Sequence, residues 1–130
     1  MKVQLSVIAA GIGLLATVPL RAHHSFAAEY DSNKPIKISG TVTKMEWMNP
    51  HARFYVDVKD DAGKVTNWEF ELGSPNGLMR QGWTRNSMKV GDEIVVEGSR
   101  AKDGSNIANA RSVVLGSGER LFAASSQDKQ

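Results

Sequence analysis

The chain has 130 residues, no cysteine, and 16 Lys and Arg against 14 Asp and Glu, which gives a formal net charge of +2. This length fits one domain, and without cysteine the domain must be stabilised by its core alone. A charge so close to balance lacks the clear basic excess of nucleic-acid-binding proteins, so we expect no nucleic acid among the partners.

The first 22 residues have the layout of a secretory signal peptide. Lys2 gives a positive start, residues 3–20 are almost wholly apolar, and Ala22 places a small residue at the end. A transmembrane anchor is the alternative, but polar residues and Pro19 shorten the apolar run below the roughly 20 residues that spanning requires. We therefore expect residues 1–22 to be removed, leaving a protein that acts outside the cytoplasm with no membrane span.

The position of cleavage decides which histidines remain. Cleavage after Ala22 makes His23 the new N-terminus and keeps His24, whereas a competing site after Ala27 removes both. The first choice also removes Lys2 and Arg21 but no acidic residue, so the 16 basic residues fall to 14 and balance the 14 acidic ones.

Residues 23–35 show no regular hydrophobic spacing and predict an extended N-terminal arm. From Ile36 the apolar residues alternate with polar ones, which indicates a β-strand. The alternation slips by one residue near Thr43 and Lys44, where we expect a β-bulge. Two further alternating stretches, around 52–58 and 67–72, predict the second and third strands.

A short helix is predicted after the third strand. Ser74 followed by Pro75 is typical of a helix start, because Ser caps the first backbone N–H groups and Pro fits the first helical position. We expect the helix to run to about Gln81, with Leu78 and Met79 plugging one end of a barrel.

The remaining elements complete a recognisable order. Strands are predicted at 93–100 and 107–115, with a short edge strand at 119–124 and a disordered tail at 125–130. Three strands, a helix, two strands and an edge strand follow the order of an OB-fold barrel. We therefore predict an all-β protein with one short helix, in which residues 36–124 form a small OB-fold-like barrel of five or six strands. An unrelated small sandwich is the alternative.

Six short motifs are spread over nearly all of the expected mature chain. They are Ala22-His23-His24-Ser25-Phe26, Gly40-Thr41-Val42, Trp47-Met48-Asn49-Pro50-His51, Phe70-Glu71-Leu72-Gly73-Ser74-Pro75-Asn76, Gly82-Trp83-Thr84-Arg85 and Ala101-Lys102-Asp103-Gly104. Together they resemble DUF6152, a family of small exported bacterial proteins. The resemblance implies a periplasmic setting in Gram-negative bacteria and cleavage just before the histidine pair. It implies no activity and no catalytic residues.

The three histidines are the candidate metal ligands. A mature N-terminal His23 offers an α-amine and an imidazole that chelate one metal together, and His24 adds a second imidazole; such nitrogen ligands suit Cu(II). His51 lies in the predicted loop between the first two strands, where the arm can fold back to it. The alternative is that the histidine pair is a solvated terminus and that His51 caps a turn after Pro50.

A second candidate set overlaps the first. Met45, Trp47 and Met48 lie close in sequence to His51. Thioethers and imidazole suit Cu(I), and a Trp ring can lie against a bound cation, so Met48 is a candidate soft ligand. The residue types, though not the spacing, are similar to those of periplasmic copper- and silver-binding OB-fold chaperones. The alternative is that Met45 and Trp47 belong to the core.

A ligand or partner surface is predicted on the face of the second and third strands, which binds partners in OB barrels. Arg53 and Tyr55 occupy outward positions there. Trp47, Trp83 and Arg85 complete this surface, because exposed Trp and Arg are typical interface anchors. The alternative for Trp83 is that it covers the barrel end.

Catalysis finds little support in the sequence. Glu69 and Glu71 lie two residues apart, but we expect them on a solvated strand face. We find no nucleophile elbow, phosphate-binding loop or dinucleotide motif. We therefore predict a binding protein and not an enzyme. Copper binding is the leading function, a metal-free module for an envelope protein or small ligand is the alternative, and a small copper-dependent oxidase is the third possibility.

Overall fold

A computed structural model describes residues 26–125 of the chain. The predicted signal peptide, His23 and His24 lie outside the described residues, as does the predicted tail beyond Ser125. The elements are α1 (Phe26–Glu29), β1 (Tyr30–Glu46), β2 (Arg53–Lys59), β3 (Val65–Glu71), α2 (Pro75–Arg80), β4 (Glu93–Ala101), β5 (Ile107–Val114) and β6 (Arg120–Phe122).

Five strands close into a ring. The pairs β1–β2, β2–β3, β1–β4 and β4–β5 are antiparallel, and a parallel pairing of β3 with β5 joins the two ends. The short strand β6 adds to β5, and α2 connects β3 to β4. This is the strand order of an OB-type barrel, so the predicted all-β class and barrel are confirmed. The structure has one further short helix, α1, which the sequence did not predict.

The bend in β1 lies where the alternation of the sequence slips. The register of β1 against β2 shifts between Val42 and Lys44, which confirms the predicted β-bulge. Two residues before Val42, Gly40 lies so close to β2 that a Cβ atom there would overlap the carbonyl oxygen of Asp57. The part of β1 up to Thr41 pairs with β4, and the part from Thr41 onward pairs with β2.

The structure differs from the expected arm at the start of β1. The strand begins at Tyr30, six residues before the alternation starts, and Tyr30 pairs with Ala101 at the end of β4. Residues 32–35 are exposed, so they carry no hydrophobic period that would have indicated a strand. Phe26 and Tyr30 pack with Ala101 as a small second cluster outside the main core.

The main core fills the interior of the barrel. The rings of Phe54 in β2 and Phe70 in β3 stack with their centroids 5.1 Å apart. Trp83, after α2, is only 2% exposed, and its indole Nε1 donates a hydrogen bond to the carbonyl oxygen of Phe122 at 2.9 Å. Trp83 therefore belongs to the core at the end of the barrel.

Helix α2 begins as its sequence predicts. The Ser74 hydroxyl accepts a hydrogen bond from the backbone N–H of Gly77 at 3.1 Å, and Pro75 occupies the first helical position. Leu78 is fully buried beneath the helix, as expected. Met79 is 53% exposed, which corrects the prediction that both residues plug the barrel. Successive residues of a helix point about 100° apart, so one short helix does not bury both.

Ser125, the first residue of the predicted tail, lies within the described range and is ordered by a hydrogen bond. Ser125 is buried, and its hydroxyl donates a hydrogen bond to the side-chain oxygen of Asn109 at 2.5 Å. Between Phe26 and Ser125, no helix is long and apolar enough to cross a membrane.

Candidate functional site

His51 lies where the β1–β2 loop enters β2. The backbone N–H of Ala52 donates to the carbonyl of Gly73, and that of Leu72 donates to the carbonyl of Ala52, so the ladder continues past the end of β3. Beside this ladder, the Nδ1 atom of half-buried His51 lies 3.2 Å from the carbonyl oxygen of Leu72. A carbonyl oxygen only accepts, so Nδ1 is the donor in this bond, and in a neutral imidazole with this tautomer Nε2 is the acceptor atom.

The candidate soft ligands near His51 divide into two groups. Met45 and Trp47 are partly buried and pack against the main core, as the alternative interpretation of the sequence held. Met48 is 48% exposed on the loop. Of these three residues, Met48 is therefore the one whose side chain is most accessible to an ion.

Within residues 26–125, no group of three or more His, Cys, Asp or Glu side chains is arranged to hold a metal ion. Two members of the predicted copper set, His23 and His24, precede this range. His51 and Met48 are thus the parts of that set whose positions the structure gives.

An ordered group of charges covers the outer face of β2 and β3. The guanidinium of Arg53 contacts Glu69 through Nη1 at 2.5 Å and Glu71 through Nη2 at 3.3 Å. Glu71 is only 8% exposed, which corrects the expectation that it belongs to a solvated face. The physical reason is that Arg53 supplies the charge-assisted partner which a buried carboxylate needs. The hydrogen bond with Glu69 raises the pKa of Arg53, against the opposing effect of burial.

Tyr30 completes the enclosure of Glu71. Its phenolic O–H donates to the carboxylate Oε2 atom of Glu71 at 3.2 Å. Burial, and then the negative charge of Glu71, raise the pKa of Tyr30 well above its usual value. The start of β1 is therefore fixed to the outer face of the barrel by a buried polar contact as well as by the packing of Phe26 on the Tyr30 ring.

A second row of side chains, more exposed than the first, surrounds Tyr55, which pairs with Glu69 on β3. The Tyr55 hydroxyl is 3.4 Å from Glu69 and 3.5 Å from Glu46. Lys44 lies over the Tyr55 ring with Nζ 5.3 Å from its centroid and pairs with Glu46 at 2.7 Å. Hydrogen bonding to Lys44 lowers the pKa of Glu46, and burial followed by the charge of Glu69 raises the pKa of Tyr55.

The predicted partner surface is only partly assembled. Arg53 and Tyr55 lie together in one network, and Arg85 is exposed on the loop after α2. Trp83 is not an exposed anchor, because its ring is enclosed by the barrel end, and Trp47 packs against the core. The sequence interpretation missed Tyr30 and Glu46 as members of the network. The outward phase of Arg53 and Tyr55 indicated the β2 part of the network, whereas Tyr30 and Glu46 lie on β1, at the two ends of that strand.

Comparison with protein-family models matches residues 13–110 to a family of unknown function, DUF6152. The chain belongs to DUF6152. The part of this DUF6152 protein that matches includes β1 to β4 and the site around His51 and Arg53, whereas β6 follows it. A comparison with curated proteins finds no match.

Proposed function

We propose that this protein is an exported, periplasmic binding protein that takes up copper beside the start of β2. In this proposal His51, His23 and His24 supply nitrogen ligands, and Met48 is a soft ligand at the exposed edge. The observation that carries the proposal is the contact between His51 Nδ1 and the Leu72 carbonyl. A hydrogen bond from one ring nitrogen to a carbonyl fixes the tautomer and the ring orientation, and the other nitrogen is then presented to a metal.

The packing of the N-terminal segment supports the same location. The ring of Phe26 packs on that of Tyr30 with centroids 5.6 Å apart, Tyr30 binds Glu71, and Glu71 binds Arg53. Arg53, the first residue of β2, follows His51 by two residues. This series of contacts brings position 26 to the outer face that ends at His51.

Only a short length of chain separates the histidine pair from Phe26, the first described residue. His24 precedes Phe26 by two residues, and each residue of an extended chain spans at most about 3.6 Å. A mature N-terminus at His23 would present its α-amine and imidazole at the same end of the chain. Nitrogen ligands of this kind favour Cu(II), which binds more tightly than the other divalent first-row metals. The layout of residues 1–22 supports export to the periplasm, where this N-terminus would be produced.

The experiment that tests the proposal combines two measurements on one sample. Intact mass spectrometry of protein recovered from the periplasm first determines the N-terminus, and Cu(II) titration of that protein then gives stoichiometry and affinity. We expect a chain that begins at His23 and takes up a single Cu(II) with sub-micromolar affinity. A chain that begins at Ala28, or one that begins at His23 and ignores copper, would overturn the proposal.

A matched control tests the role of the terminal amine. A version whose α-amine is acetylated keeps all three histidines but removes the amine as a ligand. We expect this version to bind Cu(II) much more weakly with unchanged folding. Equal affinity in both versions would show that the amine is not a ligand. Turnover with a reductant and oxygen, measured on the copper-loaded protein, separates a binding protein from the oxidase alternative.

The outer face of β2 and β3 supports a second candidate function, a metal-free module that binds an envelope protein or a small ligand. The observation that favours it is the ordered network of Arg53, Tyr55 and Glu69, on the strand face that OB barrels use for partners. This function predicts that Tyr55→Ala abolishes capture of the partner and that His51→Ala has no effect. The two candidates therefore differ in which variant removes binding.

A further inference from the structure

One end of the barrel carries an uneven distribution of charge. We call residues 72–91, which comprise the connection after β3, helix α2 and most of the loop to β4, the α2 cap. The α2 cap contains Arg80, Arg85 and Lys89, all exposed, and no Asp or Glu. The carboxylates that adjoin it all have partners. Glu71 is buried and accepts from Tyr30 and Arg53, Asp92 accepts from the Lys89 backbone N–H, and Glu93 accepts from the Thr41 hydroxyl.

The same end carries most of the exposed apolar side chains. Between Phe26 and Ser125, five large apolar side chains are exposed, and three of them are Met79 at 53%, Val90 at 68% and Phe122 at 53%. Met79 and Val90 belong to the α2 cap. Phe122 lies on β6, which the hydrogen bond from Trp83 to the Phe122 carbonyl joins directly to the cap.

From this combination we propose that the α2 cap, with Phe122, docks the protein on an anionic lipid surface. Separate apolar side chains enter the boundary between headgroups and acyl chains, and the neighbouring Arg and Lys contact lipid phosphates. The apolar residues are interspersed with cations along the chain, as in peripheral membrane-binding segments, and the stems of Arg and Lys extend the apolar contact. Charge complementarity therefore favours an anionic lipid over a neutral one.

The test uses vesicles of two compositions. Protein recovered from the cell envelope, with its N-terminus established by mass spectrometry, is mixed with vesicles of phosphatidylcholine alone or with phosphatidylglycerol added. Binding is measured by co-sedimentation in EDTA, so that the result does not depend on the proposed copper site. We expect binding to the phosphatidylglycerol vesicles and its loss at high salt, because salt screens the attraction.

Matched variants locate the surface. The variant Arg80→Ser/Arg85→Ser/Lys89→Ser removes three cations from the cap, and Lys34→Ser/Lys59→Ser/Lys64→Ser removes three exposed cations from elsewhere. Since each cation near an anionic surface strengthens binding roughly fivefold, we expect the first variant to bind about 100-fold more weakly and the second to bind at most slightly more weakly. Both variants share one N-terminus, so that segment cannot produce the difference.

A second pair of variants tests the apolar contribution. We expect Met79→Ser/Phe122→Ser to weaken vesicle binding and Val65→Ser, an equally exposed site at the opposite end of the barrel, to leave it unchanged. Absence of binding to phosphatidylglycerol vesicles would overturn the proposal and would favour an acidic protein as the partner of this end. Equal losses in the cap variants and their controls would also overturn it.

Discussion

The phenolic O–H of Tyr30 donates a hydrogen bond to the carboxylate of Glu71 across 41 residues of sequence, at 3.2 Å. Both side chains are buried. The contact joins the start of β1 to the last residue of β3, two strands that are not neighbours in the ring. It therefore fixes the N-terminal segment to the face of the barrel on which the proposed copper site lies.

Replacing Tyr30 by Phe tests the value of this hydrogen bond. The substitution keeps the ring that packs on Phe26 and removes the donor to Glu71, which retains Arg53 as its partner. We expect the free energy of unfolding to fall by about 1.5–3 kcal/mol, the usual range for a hydrogen bond to a charged group. Chemical denaturation measures the change. The control is Tyr55→Phe, whose hydroxyl contacts are 3.4 and 3.5 Å long, and we expect it to cost less than about 0.5 kcal/mol. Equal costs for the two variants would contradict this assignment.

Tyr30 should also make the stability of the protein depend on alkaline pH. Burial and the charge of Glu71 raise its pKa in the folded protein above the ordinary value near 10. Above pH 10 the unfolded chain loses this proton while the folded chain retains it, so the free energy of unfolding falls as the pH rises. Below pH 10 Tyr30 makes no pH-dependent contribution. Denaturation curves between pH 8 and about 11 should therefore decline less steeply for Tyr30→Phe than for the wild type, and parallel curves would contradict the prediction.

The sequence predicted the barrel more fully than it predicted the surface of the barrel. Alternation of apolar residues depends on neighbouring positions in one strand, and it indicated β2, the bulge in β1 and the phase of the core. The start of β1 was missed because residues 32–35 are exposed and leave no period to detect. The burial of Glu71 was missed because it depends on Tyr30, which no local pattern connects to β3.

For the candidate site, the sequence predicted which residues could be ligands but not the contacts that orient them. His51 was a candidate because the sequence has only three histidines, and Met48 was a candidate because it lies in the same predicted loop. The hydrogen bond that orients His51 was not predictable, since its acceptor is a backbone carbonyl 21 residues away. The size and amphipathic character of Trp83 were equally consistent with an exposed and a buried position. The structure buries its ring, and the Phe122 carbonyl on β6 accepts the hydrogen bond of its indole N–H.

Loss of the His51 imidazole should weaken copper binding without unfolding the protein. The ring is half-buried and makes a side-chain hydrogen bond to the Leu72 carbonyl, so the variant His51→Ala keeps the core intact. We expect the Cu(II) affinity to fall by more than about tenfold, which corresponds to at least 1.4 kcal/mol. Titration calorimetry measures the affinity, and circular dichroism confirms the fold. Asn49→Ala, in the same exposed loop, is the control and should bind copper normally; unchanged affinity of His51→Ala would contradict the role assigned to His51.

Gly98 is a position where the barrel has no room for a side chain. A Cβ atom at this residue would overlap the carbonyl of Asn109 in the adjacent strand β5, and backbone atoms cannot move aside as a flexible side chain can. We expect Gly98→Ala to lower the free energy of unfolding by about 3 kcal/mol. The control is Gly116→Ala, where the nearest atom to the new Cβ is the Glu93 carbonyl oxygen at an ordinary 3.5 Å. Chemical denaturation should show a change within about 1 kcal/mol for this control, and similar costs at the two glycines would contradict the close approach of β4 to β5.

The two adjacent residues Leu78 and Met79 provide the most direct test of how α2 lies on the barrel. Leu78 is fully buried in the main core, whereas Met79 faces the solvent on the α2 cap. We expect Leu78→Ala to cost about 2–5 kcal/mol, because it removes buried methyl groups and leaves a cavity, and Met79→Ala to change stability by less than about 0.5 kcal/mol. Thermal and chemical denaturation of both variants measure the difference. The vesicle assay should show the opposite order, since Met79 belongs to the proposed lipid-binding surface and Leu78 does not. If Met79→Ala proved as destabilising as Leu78→Ala, both residues would plug the barrel and the lipid-binding surface would lose one of its apolar contacts.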